Sequence, residues 1–202
     1  MAESERFRLF IAVAIPEAVK AEIERTQAEL RRALPDGNAR WTRPEQFHLT
    51  LRFLGEVEAA RVDALGEATH NACRGFTPLR LRAEGLGCFP DRRHPRVLWT
   101  GVRDETDQLP RLQEAVALAT RDFTTEKKEE RFTGHVTLAR FKGLKRSQAE
   151  SLAAAAGGLT KRLFGEWTAY QIELMRSELL PQGARHTSLA AIGLGGPPPD
   201  LA

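Results

Sequence analysis

Apolar runs of strand period and of helix period interleave along this chain. Arg8 to Ile15 (RLFIAVAI) is a short apolar run stopped by Pro16, the pattern of a well-buried strand. The segment that follows, rich in Ala, Glu, Lys and Leu to about Leu34, predicts a helix with Pro16 in its first turn. Pro35-Asp36-Gly37-Asn38 is turn chemistry. Trp41–Thr42 and the alternating Phe47 to Leu54 predict two strands, the second closed by Gly55, and an amphipathic helix is expected from about Glu58 to Cys73. Strands are then predicted at Leu79 to Ala83 and Val97 to Val102, separated by Gly85-Leu86-Gly87 and an Arg-rich loop. Leu109, Leu112, Val116 and Ala119 mark a helix from about Thr106 to Arg121, and a charged connector over 124–132 leads into a strand from Phe132 to Phe141. Ser147 reads as the N-cap of an Ala-rich helix ended by Gly157-Gly158, and strands near Ala169 to Arg176 and Thr187 to Leu194 complete the core.

Length and composition narrow the class. The 202 residues, 42% apolar and 28% charged, fit one domain, or one domain made of two similar lobes, over 1–194, with a loose tail over 195–202. Those fractions exclude disordered, collagen-like and coiled-coil classes. No apolar run reaches the roughly 18 residues of a membrane span. The acidic start leads straight into a strand-like run, so no signal peptide is expected and a cytoplasmic location is. Cys73 and Cys88 are too few for a disulfide framework and lack metal-ligand spacing. A net charge of +3 by itself says nothing about partners. The basic clusters Arg92–Arg96 and Lys127–Arg146 could draw a polyanion, although most of their members read as solvated surface. There is no G-x-G-x-x-G after the first strand, no Walker A sequence, no H-E-x-x-H and no G-x-S-x-G elbow, which disfavours dinucleotide-binding, P-loop, zincin and serine-hydrolase readings.

The informative feature is a duplication. His48-Leu49-Thr50-Leu51 is followed by Arg52-Phe53-Leu54-Gly55, and His135-Val136-Thr137-Leu138 by Ala139-Arg140-Phe141-Lys142-Gly143. With 5 His, 15 Thr and 42% apolar residues, a shuffled chain would hold roughly 0.07 such His-apolar-Thr-apolar tetrapeptides. Two copies 87 positions apart, each on a predicted strand, therefore carry meaning. Side chains at i and i+2 share a strand face, so each copy presents an imidazole and a hydroxyl together while Leu49, Leu51, Val136 and Leu138 turn to the core. If two lobes pack about a pseudo-twofold axis, both pairs can converge on one cleft.

Two imidazoles at one phosphorus form an acid–base pair, because an ordinary pKa near 6.5 allows one to be neutral while the other is protonated. The neutral ring accepts the nucleophile's proton and the protonated ring donates to the leaving oxygen; the residues alone do not say which is which. Thr50 and Thr137 can donate to nonbridging phosphoryl oxygens, and Arg140 can neutralise charge growing there. No metal is required, and no carboxylate cluster offers itself to hold one. For a base, Phe10 and Phe53 are the stacking candidates. Phe10 alternates with Leu9 and Ile11 and would face the cleft beside Ala12. Strict alternation puts Phe53 with the core residues Leu49 and Leu51, and Arg52 on the cleft side. Trp41 and Trp99 read as core or lobe-interface residues, and His70 and His94 as surface residues.

With both His-x-Thr-x elements, the opening Arg-Leu-Phe-Ile-Ala, Arg40-Trp41, Leu86-Gly87-Cys88-Phe89-Pro90, Arg96-Val97-Leu98-Trp99 and Leu174-Met175-Arg176-Ser177-Glu178-Leu179, nearly the whole chain resembles the two-histidine (2H) phosphoesterases. It is most similar to the RNA 2′,3′-cyclic phosphodiesterases historically called 2′–5′ RNA ligases. It departs from that pattern at Gly134, where Pro is frequent, and at His186, where Tyr is common. The resemblance implies an α+β fold of two pseudo-symmetric α/β lobes, each lining a central cleft with an antiparallel sheet and carrying helices outside. It implies metal-independent opening of RNA 2′,3′-cyclic phosphate ends to 2′-phosphomonoesters, with His48 as proton donor to O3′ and His135 as proton acceptor from water. Run in reverse with an RNA 5′-hydroxyl, the same site would form a 2′–5′ linkage. No cofactor is implied, the expected partner is RNA bearing cyclic phosphate ends, and the expected state is a monomer. The alternatives are a cyclic phosphodiesterase acting on a small nucleotide and a non-catalytic nucleotide or RNA binding module.

Overall fold

The computed structural model describes residues 5–34, 39–127, 131–181 and 183–195. Its elements run β1 (Arg6–Ala14), α1 (Glu17–Arg32), β2 (Ala39–Trp41), β3 (His48–Glu58), α2 (Val62–Cys73), β4 (Leu79–Phe89), β5 (Val97–Asp104), α3 (Gln108–Ala119), β6 (His135–Phe141), α4 (Arg146–Gly157), β7 (Leu163–Ala169), β8 (Gln171–Leu180) and β9 (Gly183–Gly193). The predicted turn at 35–38 and all of the predicted tail beyond Gly195 lie outside the described residues.

The strands form two antiparallel sheets, ordered β3-β1-β8-β9 and β2-β6-β5-β4-β7. This is the expected α+β architecture, and a pseudo-twofold relation is visible in the order. β1 and β5 are each followed by a helix and then, past the short β2 in the first case and directly in the second, by a strand beginning with a motif histidine, β3 and β6 respectively. Each histidine strand pairs with its own repeat's first strand. The following strands cross over: β4 joins β5, and β8 joins β1. Each sheet thus draws strands from both halves of the sequence, which ties the lobes together. One buried cluster contains residues of both sheets, from Leu9, Ile11 and Leu49 to Leu81, Val136 and Leu138.

Helix α1 is amphipathic, with Val19, Ile23, Thr26, Gln27 and Leu30 on its buried stripe. Although it follows β1, it packs on the other sheet: it touches β7, and the buried Gln27 amide donates to the carbonyls of Thr42 and Leu138, both at 2.8 Å. Helix α3 makes the reciprocal contact with β3. The helices therefore back the cleft strands from outside.

Several predicted boundaries move. β3 does not stop at Gly55 but runs on to Glu58, since Gly55 adopts φ +66° and forms an irregularity in the ladder with β1 without ending it. The Gly85-Leu86-Gly87 segment, expected as loop, is strand, and Gly87 is needed because the Trp99 indole lies against its backbone where a Cβ would stand. Lys145, not Ser147, is the N-cap of α4, its N–H donating to the Gln148 side chain at 2.9 Å. β7 has no counterpart in the sequence expectation: it is an edge strand burying little more than Phe164 and Ala169, too sparse an apolar pattern to read from sequence.

Candidate active site

Both motif strands deviate from regular alternation at the same point. Against β1, Ile11 stands opposite Arg52 and Ala12 opposite Thr50, so Leu51 is an extra residue. Against β5, Leu98 stands opposite Ala139 and Trp99 opposite Thr137, so Leu138 is extra. A bulge reverses which face the next side chains take. Arg52 and Ala139 are consequently buried, while Phe53 and Arg140, each five residues after its histidine, are exposed toward the cleft. The alternation-based expectation for Arg52 and Phe53 is thereby corrected. Arg52 turns away and its guanidinium donates to the Glu126 and Lys127 carbonyls, at 2.7 and 3.1 Å, anchoring the charged connector. Phe53 is 37% exposed on the cleft side, with the Arg8 guanidinium 4.9 Å from its ring centre.

The cleft between the sheets has a volume of about 640 Å³. Its lining includes His48, Thr50, His135, Thr137, Arg140 and Phe53. Each histidine opens its strand half-buried, and each is held the same way. Nδ1 lies 2.7 Å from the carbonyl oxygen two residues earlier, that of Gln46 for His48 and of Thr133 for His135. A carbonyl only accepts, so Nδ1–H is the donor in both rings, and in the neutral ring Nε2 keeps its lone pair for the cleft. The repeated main-chain geometry thus sets tautomer and orientation twice over.

Aromatic rings brace the imidazoles. Phe10 lies 4.7 Å from the His48 ring, and His186 meets the same ring edge-on at 5.2 Å and 85°. Phe89 stands edge-on to His135 at 5.1 Å, with Trp99 at 6.1 Å. Phe10 does border the cleft, as expected, but it is only 2% exposed, and its contact surface is spent on His48 and His186. Trp99, read from sequence as core or interface, and Phe89 form the support under His135; their signal was the Gly87 opposite Trp99. His186 stands out in the sequence only as a departure from a common Tyr, and β9 brings it into the cleft opposite Ser177 of β8.

Electrostatics follow from this packing. Burial pushes the His48 pKa down to about 4, with smaller contributions from Arg140 and from His186 and His135 whenever those rings are protonated, against the opposing pull of the Gln46 carbonyl. Burial also lowers that of His186. Among the described residues, no group of three His, Cys, Asp or Glu side chains could hold a metal ion, and no helix is long and apolar enough to cross a membrane.

Two interlocked α/β halves that each deliver a His-x-Thr pair to one cleft define a two-histidine phosphoesterase. The chain belongs to the LigT-like phosphoesterase family, whose model matches twice, over residues 13–99 and 101–186, one match for each half. It is similar to proteins named RNA 2′,3′-cyclic phosphodiesterase. The Thermus thermophilus relative is 33% identical over 94% of this chain and 91% of its own length. The Methanothermobacter thermautotrophicus relative is 28% identical over 94% and 100%. A crystal structure from Thermus thermophilus superposes with a TM-score of 0.75 at 31% identity, covering 94% of this chain and 98% of that one. A structure of Escherichia coli LigT complexed with 3′-AMP has a TM-score of 0.73 at 22% identity, a likeness of fold, covering 95% and 100%.

Proposed function

We propose that this phosphoesterase opens 2′,3′-cyclic phosphate ends of RNA to 2′-phosphomonoesters by paired histidine catalysis. The observation that carries the reading is the duplicated imidazole in one cleft, each ring tied at Nδ1 to a main-chain carbonyl so that Nε2 serves the cleft. The names of the Thermus and Methanothermobacter relatives support the substrate. In the step, the oxygen of water attacks phosphorus and the P–O3′ bond breaks. His135 takes the proton from the water, and His48 gives one to O3′ as it leaves. Thr50, Thr137 and Arg140 hold the nonbridging oxygens, where charge accumulates in the transition state. His48 favours the neutral form in the free protein, so its donor role depends on the substrate. The anionic phosphodiester, placed beside the ring, stabilises the imidazolium and loads the acid. Phe53, with Arg8 over one face, offers the terminal base a stacking surface. Reversal, with an RNA 5′-hydroxyl in place of water, would make a 2′–5′ phosphodiester.

The test is incubation of an oligonucleotide ending in 2′,3′-cyclic phosphate, with EDTA present. The expected product is the 2′-phosphomonoester, lost in His48→Ala and in His135→Ala. Intact substrate, activity that EDTA abolishes, or hydrolysis unchanged in either variant would overturn the reading. A 3′-phosphomonoester product would show that the other ester bond breaks.

A further inference from the structure

Beyond the reacting phosphorus, Arg140 is the first of a group of like charges whose other members the hydrolysis just described does not use. β2 pairs with β6 so that Arg40 stands directly opposite Arg140. Cross-strand partners share a face, and like charges directly opposed destabilise a sheet. Both side chains are exposed, both border the cleft, and neither has an ion-pair partner among the described residues. Other exposed arginines do find carboxylates: Arg103 reaches Glu84 at 2.6 Å, and Arg185 reaches Glu178 at 2.8 Å.

A third guanidinium joins them. Arg43, two residues past β2, converges with Arg40 over the backbone of the β8–β9 hairpin. A Cβ built on Gly183 would stand 3.5 Å from a terminal nitrogen of each arginine and 3.7 Å from Nε2 of Gln46. That hairpin is fastened here, since the Gln46 amide donates to the Ala184 carbonyl at 2.5 Å. Gln46 in turn supplies the carbonyl that orients His48. The positive charge therefore begins at Arg140, continues through Arg40 in the cleft lining, and is extended by Arg43, which lies outside that lining beside Gly183, with no carboxylate paired to any of the three among the described residues. Arginine forks suit phosphate oxygens in this way, each charge-assisted hydrogen bond being roughly twice as strong as a neutral one.

We infer that Arg40 and Arg43 form a second phosphate subsite, which binds a phosphate of the substrate additional to the cyclic one. The inference rests on the hydrolase reading and deepens it, making the substrate a nucleotide that carries a phosphate on its 5′ side. Two sources share that chemistry: the phosphodiester linking the terminal nucleotide to the next, and a free 5′-phosphate.

The test compares kcat/KM for three substrates: adenosine 2′,3′-cyclic phosphate with a 5′-hydroxyl, the same nucleotide with a 5′-phosphate, and the dinucleotide ApA ending in 2′,3′-cyclic phosphate. One well-held phosphate is expected to raise kcat/KM about tenfold or more over the 5′-hydroxyl compound. Preference for the 5′-phosphate or for the dinucleotide identifies the source. In Arg40→Gln/Arg43→Gln the ratio between the phosphorylated and 5′-hydroxyl substrates falls toward one, whereas Arg103→Gln, outside the cleft lining, keeps it. Thermal melting of each variant confirms folding. A wild-type ratio near one, or a ratio that survives the double substitution, overturns the subsite. Failure to hydrolyse any of the three would instead strike the hydrolase reading itself.

Discussion

The low proton affinity of His48 makes a measurable demand on the whole protein. Its imidazole is desolvated by burial between Phe10 and His186, with the Arg140 charge adding a smaller effect, so folding brings its pKa from the ordinary 6.5 down to about 4. The unfolded chain, with the ordinary value, takes up the proton first as pH falls. Stability contributed by the neutral ring is therefore present above pH 6.5, declines between 6.5 and about 4, and is gone below that. At 1.36 kcal/mol per tenfold change in proton affinity, the loss amounts to at most about 3 kcal/mol. His48→Asn removes the titration while keeping an amide able to donate to the Gln46 carbonyl. Urea unfolding at pH 7 and at pH 4, for wild type and variant, should give a smaller acid loss in the variant, by up to about 3 kcal/mol. Proton NMR of the His48 ring adds a direct reading: titration near 4 in the free protein, and upward movement when adenosine 2′-monophosphate is bound. Parallel stability curves, together with a ring titrating near 6.5 in the free protein, would refute the reasoning and leave His48 an ordinary solvated histidine.

Other substitutions separate the parts of the site. His48→Ala and His135→Ala should each lower kcat on the cyclic-phosphate oligonucleotide by about 10²–10⁴, read by product chromatography. Phe53→Ala should raise KM by about tenfold with the smaller effect on kcat, as loss of one stacked base implies; a change in kcat alone would argue against stacking. Gln27→Leu strips the Thr42 carbonyl of its side-chain donor and leaves the Leu138 carbonyl with the Thr42 N–H alone, and should cost about 1–3 kcal/mol in denaturant unfolding. Because Leu138 is the bulged residue between Thr137 and Arg140, the same variant should also weaken phosphate binding.

The reach of the sequence is clearest at the motif strands. The periodicity of Phe47 to Leu54 and of Phe132 to Phe141, with His and Thr two residues apart, determined which side chains enter the core and which pair faces outward, since the strand period of two follows from backbone geometry alone. The duplication determined that there would be two such pairs. It could not determine the face of Arg52, Phe53 or Arg140, because a bulge is a property of the ladder with the neighbouring strand: one extra residue opposite β1 and another opposite β5 reversed the side chains that follow. Nor could it place Arg40 beside Arg140 or His186 against His48. Those contacts join residues far apart in the chain. They exist because β2 pairs with β6 of the other half, and because β8 carries β9 onto the sheet of β1 and β3. Local patterning specifies what each segment can bury. Which segments then meet is decided by closing both sheets around a shared core, and that choice built the cleft.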